Sequence, residues 1–141
     1  MENATITRVA TAQSGVIVDG ITPTVSSTAF TGAEHPAYVT DDVLELTLTF
    51  SEDVTVTGTP RIPIGIDQDN KYLEYASGTG TDELVFQYTV VAGDVAPIPG
   101  QGFSIQDVNI DLNGGTIVNA AGNAANLKFR RPAITQITFN A

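Results

Sequence analysis

The sequence predicts an all-β protein, an antiparallel sandwich or barrel built from short strands. Three observations carry that expectation. The chain is rich in threonine, valine and isoleucine, and thirteen glycines and seven prolines punctuate it. No segment sustains apolar residues at helical spacing, whereas several runs alternate apolar with polar. Such alternation marks a strand with one face on a core and the other in water, because successive side chains point to opposite sides.

The elements follow in chain order. Residues 1–17 read as an extended arm with little charge. The clearest strand is VLELTLTF at 43–50, which turns Leu44, Leu46, Leu48 and Phe50 inward and Glu45, Thr47 and Thr49 outward. A turn at Ser51, Glu52 and Asp53 separates it from VTVT at 54–57. RIPIGI at 61–66 directs Ile62, Ile64 and Ile66 to the core, while Pro63 lacks a ladder donor and so predicts a sheet edge or a bulge. KYLEYA at 71–76 is a weaker strand, and ELVFQYTV at 83–90 is a strong one with Leu84, Phe86, Tyr88 and Val90 inward. In FSIQDVNIDLN, Phe103 and Ile105 share one phase and Val108, Ile110 and Leu112 the other, so a bulge near Gln106 and Asp107 is expected. Asn113-Gly114-Gly115 and Ala121-Gly122-Asn123 are turns, since Gly and Asn accept positive φ. ITQITF at 134–139 predicts a terminal strand with Ile137 and Phe139 on one side.

At 141 residues the chain fits one domain, a length that buries roughly two-thirds of the unfolded surface. A net charge of −10 repels phosphate backbones and anionic lipid, so nucleic acid is not an expected partner. With no cysteine there is no disulfide, thiolate nucleophile or sulfur-ligated metal, and with His35 as its one histidine the chain holds no multi-imidazole site. MENATITRVATAQSG has a single basic residue, Arg8, and no apolar run, so it does not read as a cleaved leader. No stretch approaches the roughly 20 apolar residues that span a bilayer as a helix, and membrane insertion is not expected.

Four pieces then stand out in one order: VDGITPTVSS (18–27), LTLTFSEDVTVTGTPRI (46–62), YASGTGTDELVFQYTVVAGD (75–94) and LNGGTIVNAAGNAANL (112–127). In order and spacing they resemble the immunoglobulin-like repeats of large bacterial surface adhesins, and they are also similar to immunoglobulin-like domains of tailed-phage structural proteins. The resemblance implies an immunoglobulin-like antiparallel β-sandwich over 18–127, with the arm before it and a strand-like tail at 128–141. It implies a spacer, adhesive or decorating module. The departures matter too. Only one Val18-Asp19-Gly20 junction occurs, the chain ends in RRPAITQITFNA, and the loops at 32–38 and 97–109 are lengthened. Where many repeats carry an acidic residue before Ala-Gly-Asn, this chain has Asn119, so that calcium ligand does not carry over.

Calcium is nonetheless the cation to weigh, because it favours carboxylate and carbonyl oxygens from loops. Candidate ligands are Asp67, Asp69 and Asn70, Asp41 with Asp42, the Ser51-Glu52-Asp53 turn, and Asp19 at a junction between chains. None reproduces the twelve-residue calcium loop. Solvated acidic turns are therefore the preferred reading, and no cofactor is expected. Glycoside hydrolysis needs two carboxylates, but Glu45, Glu74 and Glu83 fall on outward or edge positions, so the chain is expected not to be an enzyme. His35, in a loop beside Pro36, reads as an exposed or locally bonded residue. For glycan binding, Tyr38 and Tyr72 are the candidate platforms, each expected to pack at the rim.

Pairing of strand edges with another chain outweighs these, because it needs only backbone groups. Lys128, Arg130 and Arg131 gather half of the basic residues near the end of an acidic chain, suited to docking on its own body or on an acidic neighbour. Arg8, Lys128, Arg130 and Arg131 are thus the candidate partner-binding residues. The expectation is a non-enzymatic virion decoration or cement protein of a phage head or tail, located on the virion surface. Arm and tail would bind neighbouring subunits in an oligomer or larger assembly. The alternative is a repeat of a secreted bacterial adhesin, extracellular or on the cell surface, acting as a calcium-stiffened spacer or binding domain.

Overall fold

The computed structural model describes residues 21–31, 37–97, 102–133 and 137–141. Among them every regular element is a strand: β1 (Val25–Thr31), β2 (Val43–Thr57), β3 (Arg61–Ile66), β4 (Asp69–Ser77), β5 (Thr81–Thr89), β6 (Val95–Ala96), β7 (Phe103–Ile105), β8 (Thr116–Val118) and β9 (Phe139–Asn140). A seven-stranded antiparallel sheet runs β1-β2-β5-β4-β3-β7, with β8 added on β2, and β6 pairs β9 separately. The all-β antiparallel class is as the sequence predicts. The arm at 1–17, with Arg8, and the loop residue His35 lie outside the described residues.

Register follows from hydrophobic pattern, because a one-residue slip would turn each strand's apolar set to water. Leu46 stands opposite Phe30 on one side and Phe86 on the other, and Leu48 opposite Leu84. Ile62 faces Leu73, while Ile64 and Ile66 face Ile105 and Phe103. All of these except the half-buried Phe30 are buried. The sheet curls around this face, and Phe30 of β1 meets Phe103 of β7 edge to face at 6.0 Å, although the two strands stand at opposite ends of the sheet path. Phe103 continues to Phe139 at 5.3 Å, and Phe139 stacks on Tyr38 at 5.4 Å.

Two local expectations are corrected. Ser51, Glu52 and Asp53 do not form a turn, since β2 runs unbroken through them. Their extra length appears as a shift in pairing with β5 between Thr49 and Val54, after which β2 leaves β5 for β8. Leu44 through Val56 keep one inward parity across that shift, which is why two runs of the same phase are a single strand. Pro63 is not on an edge strand either. β3 pairs β4 over its whole length and β7 over Ile64–Ile66. The Pro63 carbonyl accepts from the Gln106 N–H, so its missing donor points to the same side, just past the end of the β7 ladder where no partner is needed.

The parity change after Ile105 is larger than a simple bulge. Ile64 pairs Ile105 and Arg61 pairs Asp111, so the neighbouring segment has three residues more than β3 between these points. That odd excess brings Ile110 to the core at 3% exposure. Asp107 closes the excursion by accepting from the Asn109 N–H at 3.1 Å. The next turn has Asn113 at φ 50° and Gly114 at φ 83°, both in the left-handed region that asparagine and glycine tolerate. Gly115 follows because a Cβ there would lie 2.2 Å from the Thr57 carbonyl oxygen.

β1 was not foreseen as a strand. Val25 and Phe30 have opposite parities in sequence, and only the register shift between Val25 and Ser27 reconciles them. This strand carries one conflict with the core: Thr28 stands opposite Leu48, and its buried Oγ1 has no hydrogen-bond partner. A buried hydroxyl without a partner costs about 1–3 kcal/mol. Thr28→Val keeps the shape and removes the hydroxyl, so it is expected to raise stability by about 1 kcal/mol, measured by denaturant titration.

Candidate functional site

The residues preceding and following Phe129 determine how the basic segment is displayed. The segment runs antiparallel to 108–110, with an Asn109–Lys128 bridge, an Ile110 N–H to Leu127 carbonyl bond and a Phe129 N–H to Val108 carbonyl bond. Phe129 is buried, and strand-like alternation leaves Lys128 and Arg130 exposed on either side. Arg131 is exposed as well, but its Nε donates to the Ile105 carbonyl at 3.0 Å, which occupies an outward acceptor of β7. Arg130, Arg131 and residues Val25–Thr28 of β1 line one groove of about 370 Å³. Three of the four candidate partner-binding residues therefore lie near one another. The fourth, Arg8, lies outside the described residues.

The terminal strand behaves differently from the basic segment before it. Phe139 has no exposed area, Ile137 is buried, and β9 pairs β6 through Ala96–Phe139 and Val95–Asn140. Ile137, Thr138 and Phe139 are thus embedded in the chain's own body, while Asn140 is exposed. Their anchor is Asp94, a residue that the sequence reading did not single out. Its side chain is 2% exposed, and its carboxylate accepts from the Tyr88 hydroxyl at 2.5 Å and the Val91 N–H at 3.0 Å. Lys71 Nζ stands 3.8 Å away, and the Asp94 carbonyl accepts from the Ala141 N–H. The signal available in sequence was Gly93-Asp94, a turn with an acidic residue beside a strong strand. Its burial depends on the distant terminal strand.

Asn119 has the same kind of task. It is 3% exposed, and its Oδ1 accepts from the Ala121 and Asn123 N–H groups while its Nδ2 donates to the Ile21 carbonyl. An aspartate at this position would lose that donor. Asn119 pins the start of the described chain to the 119–123 loop.

The described acidic calcium candidates are spread over separate turns and the middle of β2, and Asp19 lies outside the described residues. Asp67 and Gln68 form the two-residue hairpin between β3 and β4, with Asp67 at φ 54°, and Asn70 accepts from Gln106 Nε2 at 2.7 Å. Asp42 accepts from the Val39 N–H at 2.9 Å in the turn entering β2. Glu52 lies 3.4 Å from Asn119 Nδ2. Among the described residues no three acidic or imidazole side chains converge.

The outward face of the sheet is a polar row. Glu45 accepts from Thr31 Oγ1 and from Gln87 Nε2, and Gln87 stands opposite Glu74 on the next strand. Arg61 lies over the Tyr72 ring at 4.0 Å and donates to Asp111 at 3.0 Å, which holds the Asp111 carboxyl below its usual range. Of the two aromatic candidates, Tyr72 is 37% exposed, while Tyr38 is 7% exposed against Phe139. A second hollow of about 380 Å³ lies over Tyr72, Glu74, Gln87 and Tyr88.

No family model matches the chain, and neither curated proteins nor solved structures supply a match.

Burial, and then the bond to Asp94, push the Tyr88 phenol well above its ordinary value of 10. Above that pH the unfolded chain releases this proton while the folded one keeps it, so stability is present below pH 10 and is lost as pH rises toward the folded value. In urea titrations across this range, Tyr88→Phe is expected to show a shallower alkaline loss than the parent chain.

Proposed function

We propose that the chain is a non-enzymatic, immunoglobulin-like structural module that decorates or cements a phage virion, binding neighbouring protein subunits at its surface. The observation that carries this reading is the exposed basic segment, Lys128, Arg130 and Arg131, set beside a strand edge on a chain of net charge −10. A sheet edge recruits a partner through backbone groups, and the cations select an acidic one. The burial of Phe139 and Ile137 refines the reading: contacts to neighbours would come from the arm, with Arg8, and from 128–131, not from the embedded last residues.

The resemblance to adhesin repeats supports a second reading, a module of a secreted bacterial adhesin stiffened by calcium through its acidic turns. Calcium that bound only the folded chain would raise its melting temperature, by about 2.7 kcal/mol of stabilisation at a hundredfold excess over Kd. Co-sedimentation with phage particles separates the two. The virion reading expects binding that weakens in Arg130→Glu and a melting temperature unmoved by calcium. The adhesin reading expects the calcium shift and no co-sedimentation.

A further inference from the structure

The sheet path ends in two strands, β1 and β7, whose outer edges are treated differently. At β7 the outward carbonyl of Ile105 is taken by Arg131. β1 pairs β2 alone, and alternate N–H and C=O groups along its other side have no ladder partner among the described residues. Natural proteins blunt such an edge with lysine, an inward charge or proline. The sequence of β1, VSSTAFT, contains none of these. Among the described residues its protection is confined to the irregularity between Val25 and Ser27, at one end.

The groove along that edge has a definite charge. Its lining is Val25, Ser26, Ser27, Thr28, Arg130 and Arg131, with no carboxylate, on a chain that carries sixteen acidic residues. Arg130 makes no ion pair among the described residues. We infer that the β1 edge and Arg130–Arg131 form a strand-docking site for an extended acidic segment of a different protein. The segment adds to β1 through backbone hydrogen bonds and sets its carboxylates against the two guanidinium groups.

Charge decides among possible occupants. Two copies joined edge to edge through β1 would be related by a two-fold axis and would bring both pairs of arginines to one seam, which is repulsive. The chain's own first twenty residues carry Glu2 and Asp19 against Arg8, so they offer little net charge to the groove. An acidic partner satisfies both the backbone edge and the arginines. The inference deepens the proposed function by naming the partner's chemistry, and it rests on that reading only in treating the chain as an interaction module.

The test uses the full chain and a labelled peptide of about ten residues that alternates threonine with glutamate, long enough to cover β1. The same peptide with lysine for glutamate, and one with N-methyl groups on every residue so that neither edge can pair, serve as controls. Anisotropy is expected to show binding of the acidic peptide that weakens with salt, at least about tenfold weaker binding of the lysine peptide, and none of the N-methylated one. Amide exchange is expected to slow at 25–31. Because Arg131 also braces β7, Arg130→Glu alone is the charge reversal, and it should shift preference toward the lysine peptide with an unchanged melting curve. The site is refuted by equal binding of acidic and lysine peptides, by no binding, by protection away from β1, or by self-association that deletion of residues 1–20 abolishes. Peptide binding without binding to particles would strike the virion reading and leave this site standing. Binding to particles without peptide binding would do the reverse.

Discussion

The fold depends on a line of aromatic contacts that closes a curled sheet. Phe30 comes from the first strand of the sheet path, Phe103 from the last, and Phe139 from the end of the chain, and their rings lie 6.0 Å and 5.3 Å apart in succession. A curled antiparallel sheet without this bridge would leave its inner aliphatic face open along one side, with buried Leu48, Leu84 and Ile66 brought nearer to water. Aromatic pairs at such spacings add about 0.5–1.5 kcal/mol beyond their area burial. Because the final ring enters from the last strand, closure requires contacts between residues far apart in sequence, the kind that slow folding.

Buried polar groups hold what apolar packing cannot orient. Asp94 fixes the terminal residue through its carbonyl and the end of β5 through its carboxylate, and Asn119 fixes the segment entering β1 through an amide that must both donate and accept. A buried group of this kind costs free energy unless its partners are in place, so each one specifies a single arrangement of the segments it joins. The two pins sit near the two ends of the described chain. Between them, the sheet relies on register, the aromatic line and cross-strand side-chain bonds such as Glu45 to Gln87.

Strands whose apolar residues keep one parity were legible from the sequence. The runs at 43–50, 61–66 and 83–90 carry their own pattern, and the structure places their inward residues where alternation assigns them. β1 was hidden because an irregularity reverses its parity within seven residues. Ser51–Asp53 looked like a turn because three polar residues in a row usually end a strand, yet a change of partner from β5 to β8 accommodates them. The basic segment was legible as charge. Its position beside the β1 edge was not, since that depends on how the sheet curls. Asp94 was illegible for the same reason: its burial is created by the β6–β9 pair, whose strands are two residues each.

The closure and the open edge are parts of one design. Side-chain contacts bring β1 and β7 together without a hydrogen-bond ladder between them, which is why a groove remains along β1. The most direct test of this account is the stability of Phe139→Ala, with amide exchange followed strand by strand. The account predicts a loss of about 3–5 kcal/mol, with exchange rising first at β1 and β7. A loss below about 1 kcal/mol, or a rise spread evenly over the sheet, would contradict it.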